Sequence, residues 1–90
     1  MTNLCINCYI SGTVQGVWFR ASTKEQAEKL KISGWARNLP DGRVEVFACG
    51  TETQLELFYD WLKHGPQLAK VNACTRENLA WEEYAGFDIL

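Results

Sequence analysis

The segment Gly12 to Arg20, GTVQGVWFR, holds the residues with the clearest chemical potential. A strand-to-helix loop containing glycine turns its backbone N–H groups into a concave anion site, reinforced by the dipole of the helix that follows. Arg20 falls where that helix is about to begin. A cation there opposes the dipole by about 0.3–1 kcal/mol. An anion held between Arg20 and the loop amides reverses that sign. The alternative, a surface arginine with its head in solvent, fits the spacing equally well.

Asn38 precedes the turn sequence Pro40-Asp41-Gly42. Such an Asn commonly bonds its own backbone in a turn, but its amide can also hold a water near the loop if the strand end converges on it. Cys5-x-x-Cys8 has the spacing of a metal or redox motif. In a strand, however, residues three apart point to opposite faces and cannot chelate one ion, so no metal is expected there and Cys8 and Cys74 read as packing residues. Cys5 and Cys49 share the other face of neighbouring strands. A disulfide between them is geometrically open, although a reducing compartment opposes it. His64, the only histidine, fits a helix C-terminal dipole partner better than a catalytic base. Glu82 and Glu83 read as a solvated acidic pair, and Trp35 and Phe47 as packing residues.

Alternating residues 4–10 predict a half-buried strand, with Leu4, Ile6, Cys8 and Ile10 on one face. Ser22 with Glu25 has the form of a capping box and predicts a helix to about Leu30, with Ala27 and Leu30 inward and Gly34 ending that helix region. Trp35 to Leu39, the Pro-Asp-Gly turn, and Arg43 to Cys49 predict a hairpin. Thr51 with Gln54 caps a second helix whose Leu55, Phe58, Tyr59 and Leu62 form one apolar stripe, stopped by His64-Gly65-Pro66. Ala69, Val71, Ala73 and Thr75 alternate with polar neighbours in a fourth strand, and Phe87 with Ile89 mark a short closing one. A right-handed crossover leaves room for the third strand between the first two. The expected fold is α+β: a ferredoxin-like βαββαβ sandwich, an antiparallel sheet with two helices on one face. That fold hosts many functions and names none.

The chain, 90 residues with 47% hydrophobic content and 22% charged, reads as one domain over 1–90 and excludes disorder, collagen and coiled coil. Nine basic against eleven acidic residues give a net charge of −2. No global positive field draws nucleic acid or an anionic membrane, so any anion must be held by a local arrangement. With no long apolar run and no basic apolar leader, the expectation is a cytoplasmic protein.

Two long motifs resemble the acylphosphatase family. The first comprises Gly12, Val14, Gln15, Gly16, Val17, Phe19 and Arg20, and the second Gly34, Trp35, Asn38, Asp41, Gly42, Val44 and Glu45, followed by Gly50. Pro66, Ala69 and Val71 extend the resemblance over almost the whole chain, whereas residues 77–90 match little beyond Phe87 and Ile89. The resemblance implies hydrolysis of acyl phosphates to a carboxylate and phosphate, without metal or cofactor. It implies that Arg20 and the amides of Gln15, Gly16, Val17, Trp18 and Phe19 hold the phosphate, and that Asn38 positions the attacking water. It further implies a monomer acting on a small molecule, with inorganic phosphate as product and inhibitor, and with no nucleic acid or membrane partner. Phe19 is then expected to anchor the loop from below. Trp18 either packs or flanks the acyl group. The rival readings are a non-catalytic anion module and an RNA-binding sheet displaying Tyr9 and Phe47.

Overall fold

The computed structural model describes residues 2–90. The elements run β1 (Asn3–Thr13), α1 (Phe19–Lys29), β2 (Ser33–Asn38), β3 (Val44–Thr51), α2 (Glu52–Leu62), β4 (Lys70–Leu79) and β5 (Phe87–Ile89). They form one five-stranded sheet in the order β4-β1-β3-β2-β5. The first four strands pair antiparallel, with β3 between β1 and β2 as the ferredoxin-like topology requires. The closing strand joins differently. β5 pairs parallel to β2, matching Gly34 with Phe87 and Ala36 with Ile89, so the sheet is mixed.

Alternation explains the two-faced sheet. Ile6, Cys8 and Ile10 of β1, with Val44, Val46 and Ala48 of β3, lie in the main core under both helices. Leu55, Phe58 and Leu62 of α2 and Ala27 of α1 close that core from above. Fully burying each of the Val, Ile, Leu and Phe side chains among these stabilises by about 1.5–3 kcal/mol. On the opposite face Cys5 and Cys49 sit directly across from one another, Cα atoms 4.0 Å apart, and are joined by a disulfide. Phe47, Trp35, Leu79 and Tyr84 pack around the bond. The cysteines of Cys5-x-x-Cys8 thus lie on opposite faces, Cys8 in the main core and Cys5 in the second cluster.

Three local expectations are corrected. Helix α1 begins at Phe19, so Ser22 lies inside its first turn and cannot cap it. The start is set by burial: Phe19 enters the core, and the Thr23 hydroxyl donates to the Phe19 carbonyl at 2.7 Å. Gly34 belongs to β2 and does not end the helix; the left-handed residue past α1 is Lys31, at φ 58°. The alternation of β4 is interrupted. Ser11 opposes Ala73 and Gly12 opposes Val71, leaving Asn72 as an extra residue, so Val71 and Cys74 both face the core. The chain passes so close at this bulge that a Cβ on Gly12 would lie 2.1 Å from the Lys70 carbonyl oxygen.

Candidate active site

The loop between β1 and α1 is a tight reversal. Val14 is buried and pins its start, and Phe19 is buried and pins its end, with its ring 5.9 Å from that of Trp61. Between them Gly16 takes φ 75° and Trp18 takes φ 65°, ψ 20°. The first suits glycine, whereas the second costs an L-residue about 1–2 kcal/mol. Val17 is half-buried against the core, while Gly16 and Trp18 face solvent.

These positions leave donors open. The first bond of α1 runs from the Ser22 N–H to the Trp18 carbonyl at 2.9 Å, so the N–H groups of Phe19, Arg20 and Ala21 precede the helical ladder. No side chain caps them and the first turn carries no acidic residue. Arg20 is the second helical residue, in the positive field of that end. Its Nη1 donates to the Leu90 carbonyl oxygen at 2.8 Å.

The strand end carrying Asn38 is tied to the same region by two connections and braced against β1 and β3 by a third. Leu90 N–H donates to the Ala36 carbonyl at 2.9 Å, so the group that holds Arg20 is itself held by β2, two residues before Asn38. The Gln15 side-chain amide donates to both the Leu39 and Arg43 carbonyls, at 2.8 and 2.9 Å, clamping the loop onto the β2–β3 hairpin. Arg37, next to Asn38, places Nε and Nη2 each 2.6 Å from Glu45 Oε1. Glu45 is only 6% exposed, and Asn7 Nδ2 donates to its other oxygen at 3.1 Å. Burial alone raises the Glu45 pKa, but hydrogen bonds from Arg37, Asn7 and Tyr9 outweigh it and hold the carboxyl below its ordinary value. In the turn, Asp41 accepts the Arg43 N–H and Nε, which lowers its pKa in the same sense.

Arg20, the loop from Gln15 to Phe19 and the end of β2 are therefore joined by named bonds, and Asn38 is exposed beside them. A cleft of about 300 Å³ opens at this point, lined by Gly16, Trp18, Arg20, Ala21 and Ile89. A second cleft of about 280 Å³ lies at the start of α2, but Glu52 and Glu56 in its lining repel an anion. Among the described residues no group of three or more His, Cys, Asp or Glu side chains converges to hold a metal, and no helix is long and apolar enough to cross a membrane. His64 is exposed just past α2. The nucleic-acid platform fails on geometry. Phe47 is 8% exposed, stacked on Trp35 at 5.8 Å and met edge-on by Tyr84, while the Arg43 guanidinium covers Tyr9 at 4.7 Å.

The β1–α1 loop is legible in the sequence as a glycine-containing connection, and its supports are not. The Gln15 clamp and the Leu90 contact join residues far apart in the chain and leave no local signature. Glu45 did leave one: a carboxylate inside the otherwise apolar run VEVFACG must find partners if the strand is buried.

The family model described as Acylphosphatase matches residues 6–89. An acylphosphatase of Legionella pneumophila (strain Corby) is 70% identical over 87 residues, covering 97% of this chain and 96% of that protein. The solved structure of an acylphosphatase from Coxiella burnetii superposes with a TM-score of 0.94 at 39% identity, covering 98% of this chain and 93% of that one. The crystal structure of acylphosphatase from Bacillus subtilis gives a TM-score of 0.94 at 35% identity, covering 97% and 98%.

Proposed function

The chain belongs to the acylphosphatase family, whose members hydrolyse acyl phosphates, and from that premise we propose how its own residues carry the reaction. The phosphoryl oxygens are held by the N–H groups of Gln15, Gly16, Val17, Trp18 and Phe19 and by the Arg20 guanidinium. Asn38 accepts a hydrogen bond from the attacking water and donates to the substrate, which orients the water for in-line approach. The water oxygen bonds to phosphorus as the bond from phosphorus to the acyl oxygen breaks. That oxygen leaves with the electron pair as a carboxylate, and the water's protons remain with the product, dihydrogen phosphate.

A carboxylate is a weak base and needs no proton to depart, so a general acid is dispensable. The transition state spreads charge over the equatorial oxygens, where fixed amides and a planar guanidinium supply the main stabilisation. The reading therefore calls for no metal or other cofactor. The observation that carries it is Arg20 at the second position of the uncapped helix start, directly after the Gln15–Phe19 loop and tied through Leu90 to the strand that carries Asn38. We further read the enzyme as a single-domain monomer acting on small acyl phosphates in the cytoplasm. The buried Cys5–Cys49 bond does not oppose that location, since shielded sulfurs exchange slowly with thiol reductants.

The test is hydrolysis of benzoyl phosphate by the purified protein with a chelator present. Turnover should persist, and inorganic phosphate should inhibit competitively. Phosphate binding without turnover would support a non-catalytic anion module in its place.

A further inference from the structure

We propose that the cleft walled by Trp18, Ala21 and Ile89 receives the acyl group, and that Trp18 sets a preference for acyl phosphates with an apolar ring or chain over compact or charged ones. This rests on the reading of Arg20 and the loop as the phosphate site. Trp18 is 76% exposed, the most exposed of the large apolar side chains described, so its indole does not serve the core. Its backbone is also left-handed, a conformation disfavoured for a bulky side chain. An aromatic surface left in water on a strained residue, two positions before the phosphate-holding arginine, is a feature whose cost folding does not explain.

The surroundings define what would cover it. Ile89, 42% exposed, forms the facing wall and immediately precedes Leu90, whose carbonyl holds Arg20. The Ile89 wall is thus held next to the anchor of the guanidinium. Among the described residues Arg20 is the only charged one in the lining, and the phosphoryl group takes its free donors. Among the described residues no side-chain carboxylate and no second side-chain cation lines the cleft to meet a charge on the acyl group. In-line displacement also puts the acyl group across phosphorus from the attacking water, and Asn38 does not line this cleft. About 300 Å³ accommodates a phosphate and a ring, and an indole face favours an aromatic ring by offset or edge contact.

The test compares kcat/KM for benzoyl phosphate and acetyl phosphate in wild type, Trp18→Asn and Ile89→Ser. Asparagine tolerates the left-handed backbone, so Trp18→Asn removes the indole while keeping the loop. The benzoyl-to-acetyl ratio should fall about tenfold in Trp18→Asn and about threefold in Ile89→Ser, mainly through KM for benzoyl phosphate. A ratio within twofold of wild type in both variants, with inorganic phosphate still inhibiting, overturns the assignment. If Trp18→Asn loses phosphate inhibition, Ile89→Ser decides alone by the same ratio. Retained turnover in Arg20→Ala would sink the active-site reading and this assignment with it, whereas an unchanged ratio sinks the acyl assignment alone.

Discussion

Replacing Arg20 by alanine should separate activity from stability more sharply than any other single change. Arg20 is the second residue of α1, where its charge opposes the helix dipole by about 0.3–1 kcal/mol. Against this stands its bond from Nη1 to the Leu90 carbonyl, in an exposed setting, worth about 0.5–1.5 kcal/mol. The two nearly cancel, so Arg20→Ala should shift stability by less than about 1 kcal/mol, a change in Tm of at most about 4–8 °C for a chain of this size. Losing a guanidinium from a phosphoryl-transfer transition state costs far more, about 10³-fold or greater in rate, or about 4 kcal/mol. The assay pairs benzoyl phosphate hydrolysis with thermal melting followed by circular dichroism, with and without inorganic phosphate. Wild type should gain about 1.4 kcal/mol when phosphate is at ten times its Kd, and Arg20→Ala should lose most of that gain. Turnover within tenfold of wild type would refute the catalytic role. A fall in Tm well beyond about 10 °C would refute the energy balance, because lost activity would then report lost structure.

Asn38→Ala should depress kcat at least about 10²-fold while the inhibition constant of inorganic phosphate changes little; equal losses in both would move Asn38 into the phosphate cradle. Thiol titration of the denatured protein should count two thiols before reduction and four after it. Replacing Cys5 and Cys49 together by alanine releases a constraint across 44 residues, about 4 kcal/mol of unfolded-state entropy and a Tm lower by about 15–30 °C. For Glu45, burial raises the carboxyl pKa but the hydrogen bonds from Arg37, Asn7 and Tyr9 depress it further, below the ordinary 4.5. A depressed acid contributes stability that is present above its unfolded value and is lost as pH falls through the folded one. Glu45→Gln should therefore flatten the acid side of the stability profile below about pH 5, measured by denaturant titration at a series of pH values. An unchanged acid slope would place that dependence elsewhere.

Local signals were legible where the fold left them in charge. The Thr51–Gln54 box forms as its spacing implies, with Gln54 N–H donating to Thr51 Oγ1 and Gln54 Oε1 accepting from Thr51 N–H. Ser22 and Glu25 have the same form, but burial of Phe19 brings the helix start forward and leaves them inside it. One capping box is real and the other spurious, and the difference is a tertiary contact that no short window contains. The same holds for β4, whose alternation breaks where a close approach to Gly12 forces an extra residue. It holds again for β5, three residues whose parallel pairing with β2 follows from what the sheet edge leaves open. In the site, Arg20 and Asn38 stood out by motif. Gln15 stood out only for its backbone amide, because the carbonyls its side chain clamps lie 24 and 28 residues away.

That clamp bears on why a loop with a strained residue can serve as a site at all. Transition-state stabilisation by amides depends on donors already aimed before substrate arrives, since reorganising them would consume the gain. The β1–α1 loop has little core of its own, with Val14 and Phe19 buried at its two ends. What remains is fixed from outside through β2: Gln15 to the hairpin, Arg20 through Leu90 to Ala36, and Arg37 through Glu45 to Asn7. The last of these also fixes the strand end that carries Asn38. In the proposed mechanism, phosphate donors and water-holding amide are therefore referenced to one strand, so a shift of β2 moves both together and preserves their relative aim. An arginine suits such a scheme better than a lysine. Its planar fork has five N–H donors, so one can be given to Leu90 as an anchor while others stay free for the phosphoryl oxygens of the proposed substrate.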